Sequence, residues 1–499
     1  MTSSNKKLVI IGGGPSGLTA AHQLVSEGVD TTVLEKLSIV GGIARTESYR
    51  GFSFDMGGHR FFTKSKEVRA FWDDVLKDSF IERDRLSRIY YRKRFFHYPL
   101  KPLNTLFSLG IGESILIFAS YVRWRLFPYK VEETFEQWVT NRFGKRLFKI
   151  FFESYTEKVW GIPCTELKAE WAAQRIKGLS LKTAVLNMFL KPRSTVTTLI
   201  DHFHYPKLGP GMMWRAVTSR IKDRGGNVEM DSNVVRIERT GNHIDRVIVM
   251  RDDAEVAYEG TDFISSMPLT ELIKKLDPPA PQEVLNAAKE LKYRDFLTVC
   301  LIIKEPELFE DNWIYIHDPQ VKVGRIQNYK NWSPDMVPDQ NLSSLGLEYF
   351  CNIGDEVWNQ DDADLIELGK REVDQLGLAK YETIEDGCVF RVENSYPVYD
   401  SDYRSHLTHL REFVESFDNL QTIGRNGLHR YNNQDHAMLT GMLAVRKLLY
   451  GEDHDLWAVN TEQVYHEEIQ SDEETDYKVD DSQSGSKRQS NDIESANVS

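Results

Sequence analysis

The chain has 499 residues, 41% of them hydrophobic, enough for large cores and more than one domain. Its net charge of −13 disfavours nucleic acid as a general partner. Its four cysteines, Cys164, Cys300, Cys351 and Cys388, are scattered, with no CxxC pair and no histidine cluster. Neither a disulfide framework nor a metal site is therefore expected, and a reducing, cytoplasmic setting fits best.

The polar N-terminal stub runs straight into an apolar strand, Lys7 to Ile11, so it does not read as a signal peptide. The strand breaks into Gly12-Gly13-Gly14-Pro15-Ser16-Gly17, a helical pattern follows, and a second apolar run from Thr31 to Leu34 ends in Glu35. Strand, glycine turn, helix, strand and acid together form a dinucleotide-binding unit. Gly12 permits the tight turn, Gly14 lets backbone approach a pyrophosphate, and Gly17 lets helix and strand pack closely. Ser16 sits in the helix start, whose free N–H groups face the phosphates. Glu35 is placed to accept a ribose hydroxyl, which argues against a 2′-phosphate.

Residues from about 66 to 230 read as mainly helical. Their most apolar part, Ile111 to Phe127, is interrupted by Glu113, Arg123 and Arg125 and is shorter than a bilayer span. A buried helix is the expectation, with peripheral membrane contact as the remaining option and no transmembrane segment. Arg83 to His97 gathers Arg83, Arg85, Arg88, Arg92, Lys93 and Arg94 among aromatic residues. That cluster suits an anionic substrate, or equally a solvated helix or hairpin face. Short alternating strands follow over 226–266 and again over 295–352, and helices over 360–380 and 434–450. From Glu467 to Ser499 ten acids face three bases, leaving −6 for the rest of the chain, and apolar residues are few. This acidic tail is expected to be disordered.

The fold class expected is α/β: a Rossmann-like domain that is discontinuous, built from 1–65 plus about 220–270 and 415–455. A mainly helical domain, about 66–219, and a mixed-sheet domain, about 271–414, are inserted into it as substrate domains.

A second glycine pair bears on which dinucleotide is bound. Gly41-Gly42 and then Arg45 follow Glu35, and Gly57-Gly58-His59 follows the run Phe52 to Met56. Gly42 and Arg45 can serve the long pyrophosphate and ribityl chain of FAD, and Gly57-Gly58 lets backbone pass a flavin face. This arrangement resembles the flavin amine oxidase superfamily, which includes protoporphyrinogen oxidases, desaturases and UDP-galactopyranose mutases. Its fold is an FAD-binding domain of the GR2 type with inserted substrate domains. Further segments resemble the mutase branch: Phe54 to Phe62, Phe96 to Pro99, Tyr155 to Arg175, Arg325 to Pro334, and Gly424 to His436. They occur in the expected order, although Met212 and Met213 make the segment from Pro206 to Trp214 more apolar than its counterpart.

The resemblance implies an enzyme that interconverts pyranose and furanose forms of a nucleotide sugar through a reduced-flavin N5 adduct, with a reductant such as NAD(P)H. The alternative is an FAD-dependent oxidoreductase acting on a small molecule. On the mutase reading Arg175 and Arg325 clamp the diphosphate, since guanidinium forks match phosphate oxygens. Tyr155, Trp160, Tyr396 and Tyr431 are substrate contacts or, on the plainer reading, core aromatics. His59 lies beside the flavin and sets nearby backbone or responds to the flavin's redox state rather than transferring a proton. Val235 holds the adenine through backbone, Gly424 and Arg425 flank the pyrophosphate, and Asn433 and Gln434 open a helix facing the flavin. The role of His436 stays open between packing and cofactor contact.

Overall fold

The computed structural model describes residues 6–98, 100, 105, 108–169, 198–199, 202–251, 253–460 and 468–469. Arg175 and nearly all of the acidic tail fall outside them. Within the tail, Glu468–Ile469 forms a short strand paired with Thr198–Leu199.

Five parallel strands make the first sheet, in the spatial order Asn227–Glu229, Asp30–Leu34, Lys7–Ile11, Asp262–Ser265, Leu420–Thr422. Counted along the chain this is 3-2-1-4-5, the dinucleotide-binding order. In Lys7–Ile11 and Asp30–Leu34 only the first residue is exposed. Such unbroken apolar runs belong to a parallel sheet covered on both faces. The helix Pro15–Ser26 starts with proline in its first turn, where no N–H partner is lost. It packs on the last long helix, Gln434–Tyr450. A Cβ at Gly441 would sit 2.4 Å from the Ser16 carbonyl oxygen, so glycine permits that close approach.

The second large sheet has seven strands, ordered Ile384–Pro397, Tyr293–Ile303, Ser343–Cys351, Arg325–Asn328, Trp313–Ile316, Ser87–Tyr91, Arg94–His97. Its last two strands come from the basic stretch, which is therefore a hairpin. The segment expected to be mainly helical thus contributes two strands to the sheet built by the third segment. Ile89 and Phe96 are cross-strand partners in one core, Tyr90 is buried on the other face, and Arg88 forks onto the buried Asp311, a strand period that the high charge of the stretch obscures. A smaller four-stranded sheet, ordered Ala254–Glu259, His243–Arg251, Asn233–Thr240, Leu276–Asp277, is antiparallel except for its last pair. Its first three strands along the chain fall between Asn227–Glu229 and Asp262–Ser265 of the parallel sheet.

The apolar stretch departs from expectation. Ile111–Leu126 is one helix, but of its residues only Ile117 is buried. Among the described residues no helix is long and apolar enough to cross a membrane.

Candidate functional site

A cavity of about 480 Å³ opens where the strands of the parallel sheet end, at Ile11, Leu34 and Ser266. This is the crevice beyond the carboxyl ends of the strands in an open α/β sheet. One half of its lining comes from the dinucleotide unit: Gly12, Gly14, Ser16, Glu35, Gly42 and Arg45. The other half comes from the seven-stranded sheet and the closing segment: Phe296, Arg325, Tyr396, Arg425, Tyr431, Asn433 and Gln434. Gly57, Gly58 and His59 join the two halves.

Glycine geometry explains the first half. Gly12 has φ +107°, and a Cβ there would lie 2.2 Å from Ser266 Oγ. Gly17 does not line the cavity; its Cβ would meet the Gly12 carbonyl oxygen at 2.1 Å, so it serves helix-to-strand packing as expected. A Cβ at Gly42 would come within 3.3 Å of Gly14 Cα, so bare backbone faces bare backbone there. Glu35 is buried and accepts the Gly13 N–H (2.8 Å) and the Leu37 N–H (2.9 Å), one on each carboxylate oxygen. Burial pushes its carboxyl upward, and these two donors hold it back toward the charged form. Arg45 is buried, donating to Glu47 at 2.6 Å and to the Gly42 carbonyl at 3.1 Å.

The joining loop is fastened from below. The Tyr329 hydroxyl donates to the Asp55 carbonyl at 2.8 Å, and the Tyr205 hydroxyl donates to the Asp55 carboxylate. Burial lifts the Asp55 carboxyl to about 7, against the hydrogen bonds from Tyr205 and Thr46 and the charge of Arg215. Gly57, at φ +96°, faces His59, Arg325 and Phe296. His59 Nδ1 lies 3.1 Å from the Gly57 carbonyl. A carbonyl only accepts, so Nδ1 carries the proton and Nε2 the lone pair. Burial first, opposed by that hydrogen bond and reinforced by Arg425, Arg325 and Arg45, lowers His59 to about 4. The imidazole is neutral at ordinary pH.

On the far side Arg325 forks onto Glu348: Nε lies 3.0 and 2.9 Å from the two carboxylate oxygens, and Nη2 adds a third contact. Glu348 is fully buried and also takes Gln327 Nε2 at 2.9 Å. Burial alone would lower the Arg325 guanidinium, but Glu348 outweighs it and holds the group above its ordinary value. Arg325 Nη2 reaches the Tyr396 hydroxyl at 3.4 Å. Arg425 donates to the Ser395 and Asn432 carbonyls at 2.8 and 2.9 Å, with its guanidinium 4.0 Å from the Tyr431 ring centre.

Four expected residues fall elsewhere, the first being Gly424, which does not line the cavity and where a Cβ would meet Ser16 Oγ at 2.4 Å. Tyr155 does not line the cavity; its ring stacks on His317 at 4.7 Å. Trp160 lies behind the lining, 6.2 Å from Tyr396 and 6.3 Å from Tyr431. Both back the wall instead of forming it. At the Val235 position it is Asn233 and Val234 that line the cavity. The ladder shifts register between Val234 and Arg236, so Val235 is the extra residue of a bulge and is turned aside. His436 is buried in the first turn of the last helix and does not line the cavity. Reasoning from sequence missed Arg60 and Arg391, which line it too, as does Arg85. The Arg60 guanidinium lies 5.0 Å from the Trp313 ring centre and that of Arg85 lies 5.8 Å from it. Arg85 comes from the basic stretch whose composition suits an anionic substrate.

The residues present fit a dinucleotide that carries a flavin. Gln434 is buried at the start of the last helix, and neither atom of its amide has a hydrogen-bond partner. Because Gln434 lines the cavity, its unpaired amide has a donor and an acceptor to offer a bound group. With the glycine cradle and Glu35, the site defines a dinucleotide-binding flavoprotein fold. The family of flavin-containing amine oxidoreductases matches residues 15–404, and the chain belongs to it; that family implies a flavin cofactor. In fold, the chain is similar to the crystal structure of reduced UDP-galactopyranose mutase (TM-score 0.79, 22% identity, covering 93% of this chain and 100% of that one). It is also 33% identical over 123 residues to an L-amino-acid oxidase of Sistrurus catenatus edwardsii, 22% of this chain and 24% of that protein. A protoporphyrinogen oxidase 2 of Arabidopsis thaliana is 36% identical over 72 residues, 14% of each chain. The chain spans less than a quarter of the length of these two relatives. Among the described residues no group of three His, Cys, Asp or Glu side chains is arranged to hold a metal ion.

Proposed function

We propose that this chain binds FAD and interconverts the pyranose and furanose forms of a nucleotide sugar, with UDP-galactose the first candidate. The observation that supports this reading is the cavity's cationic lining: Arg45, Arg60, Arg85, Arg325, Arg391 and Arg425 all reach it. Such a lining suits a dinucleotide and a second diphosphate together. It suits an apolar oxidase substrate less well, and none of Ile111–Leu126 lines the cavity as an apolar channel.

Glu35, Gly14, Gly42 and Gln434 are assigned to the cofactor, and in reduced form a flavin supplies a nucleophilic nitrogen for attack on an anomeric carbon. Arg325, oriented by Glu348, stabilises the leaving diphosphate. Tyr396 and Tyr431 donate hydroxyls and pack against the sugar, with Trp160 and Tyr155 fixing their positions from behind. Neutral His59 holds the Gly57 carbonyl and keeps the loop in place. Arg175 is assigned as the second diphosphate arginine, and NAD(P)H as the reductant.

The test is to incubate the yellow protein with UDP-galactofuranose, with and without dithionite, and to separate the products by chromatography. Conversion to UDP-galactopyranose only after reduction supports the proposal. No conversion by fully loaded, reducible protein rejects UDP-galactose. The second reading, oxidation of a small molecule, is favoured by the family assignment, and substrate-driven bleaching of the flavin without air would support it.

A further inference from the structure

We infer that the helix Ile111–Leu126 and the hairpin tip beside it form a docking surface for an anionic lipid bilayer. Ile111, Ile115, Phe118, Val122 and Leu126 recur at intervals of four, three, four and four residues. That spacing places them in one stripe along the helix. Ile111, Phe118 and Leu126 are 81%, 66% and 68% exposed, and Phe127 continues the patch. The opposite side of the helix is what holds it to the protein. Ile117 is buried there, Ser120 Oγ accepts the Arg146 N–H at 3.0 Å, and the Tyr121 backbone presses on Gly144. At about 100° per residue, Arg123 and Arg125 flank the stripe on either side in its last turn. The helix is too short and too charged to span a bilayer, so it would lie along the surface.

A second observation selects the anionic surface. At the other end of the helix a cavity of about 360 Å³ is lined by Arg92, Arg94, Arg146, Lys149 and Glu113, among others. Glu113 is spoken for by Arg146, 2.9 Å away, which leaves the cavity basic. Arg92 and Lys93 form the tip between strands Ser87–Tyr91 and Arg94–His97, at φ +50° and +59°. Asn-Gly is the least costly pair at such positions. Two exposed basic residues in left-handed conformation are strained, and strain of this kind collects at binding sites. The cavity itself lies under the protein-facing side of the helix, where Glu113 is, but Arg123 and Arg125 beside the stripe and the exposed basic tip near the helix start run against the chain's overall charge of −13. Two-fold pairing with a second copy would set one basic cluster against another. Anionic headgroups complement both the stripe and its rim.

The experiment is co-sedimentation of the full-length, flavin-loaded protein with phosphatidylcholine vesicles, with and without phosphatidylglycerol, at low and high salt. The expected result is binding at least about tenfold stronger to the phosphatidylglycerol vesicles, weakened by salt. Ile115→Asp/Phe118→Asp abolishes binding, with flavin absorption and melting unchanged. Arg92→Ser/Lys93→Ser, on the exposed tip, removes the preference for anionic lipid. Wild-type protein that stays in the supernatant, or variants that bind as wild type does, overturn the inference. So does a concentration-dependent dimer that Ile115→Asp/Phe118→Asp dissociates in protein that binds no vesicles.

Discussion

Arg325 has two roles that a double-mutant cycle can separate. It neutralises Glu348, which has no exposure, and it presents the rest of its fork to the cavity. Arg325→Met alone strands a buried carboxylate and is expected to cost about 3–5 kcal/mol of stability. Glu348→Leu alone strands a buried cation at similar cost. With both changes no charge is left unpaired, and stability should return to within about 1–3 kcal/mol of wild type, the shortfall being the Gln327 amide that loses its acceptor. Ligand binding should not return. The lost charge-assisted hydrogen bonds to a diphosphate are worth about 1.5–3 kcal/mol, or roughly ten- to a hundredfold in UDP affinity. Urea unfolding measures the first quantity and calorimetric UDP titration the second. If the double variant recovers both, Arg325 is only the counter-ion of Glu348, and the diphosphate assignment fails.

Glu35→Gln replaces one acceptor oxygen with an amide donor facing Gly13 or Leu37 N–H, and FAD affinity should fall about tenfold or more by fluorescence quenching. Gly17→Ala drives a Cβ into the Gly12 carbonyl, so the variant should fold poorly or lose flavin, read from the absorbance ratio after purification. Asp55, at about 7 against an ordinary 3.8, binds a proton in the folded state that the unfolded chain has already released. Its contribution is therefore full below about pH 4 and is lost as pH rises to about 7. Asp55→Asn keeps Tyr205 and Thr46 bonded and removes that loss. Its urea-unfolding advantage over wild type should grow from about pH 4 to about pH 7, by up to ~4 kcal/mol, then level off. His59, lowered to about 4, should give no NMR titration and no step in the turnover profile between about pH 5.5 and about pH 8.

The cofactor half of the site was legible because its requirements are backbone requirements. A positive φ at Gly12 and contact distances that exclude a Cβ at Gly17 leave only glycine, so the constraint appears in the sequence at fixed spacing. Glu35 was legible for the same reason, at the end of a strand whose register is set by its apolar run. The bulge at Val235 was not, because one extra residue in an antiparallel ladder leaves no mark on composition. Nor was the exposure of Ile111–Leu126. An apolar stripe has the same spacing whether it meets a core or water, and its partner is decided by tertiary packing elsewhere. Arg60 and Arg391 escaped notice because an arginine's reach depends on which strand carries it, and their strands or loops meet only across the cavity.

That division also bears on where the chemistry is chosen. The parallel sheet and its glycines shape a dinucleotide cradle whichever reaction follows, so relatives with different substrates can share them. The seven-stranded sheet supplies Arg325, Arg391 and Tyr396 from strands Arg325–Asn328 and Ile384–Pro397, which never touch the cofactor unit through backbone pairing. Substitutions there can change the substrate without disturbing Glu35 or Gly14. Glu348 ties the two requirements together. It lies on Ser343–Cys351, between the strands that carry Arg325 and Phe296, and one carboxylate holds both Arg325 and Gln327 in place. The side of the cavity that carries Arg325 therefore rests on a buried acid that does not line it, and a substitution that removed Arg325 would have to change Glu348 as well.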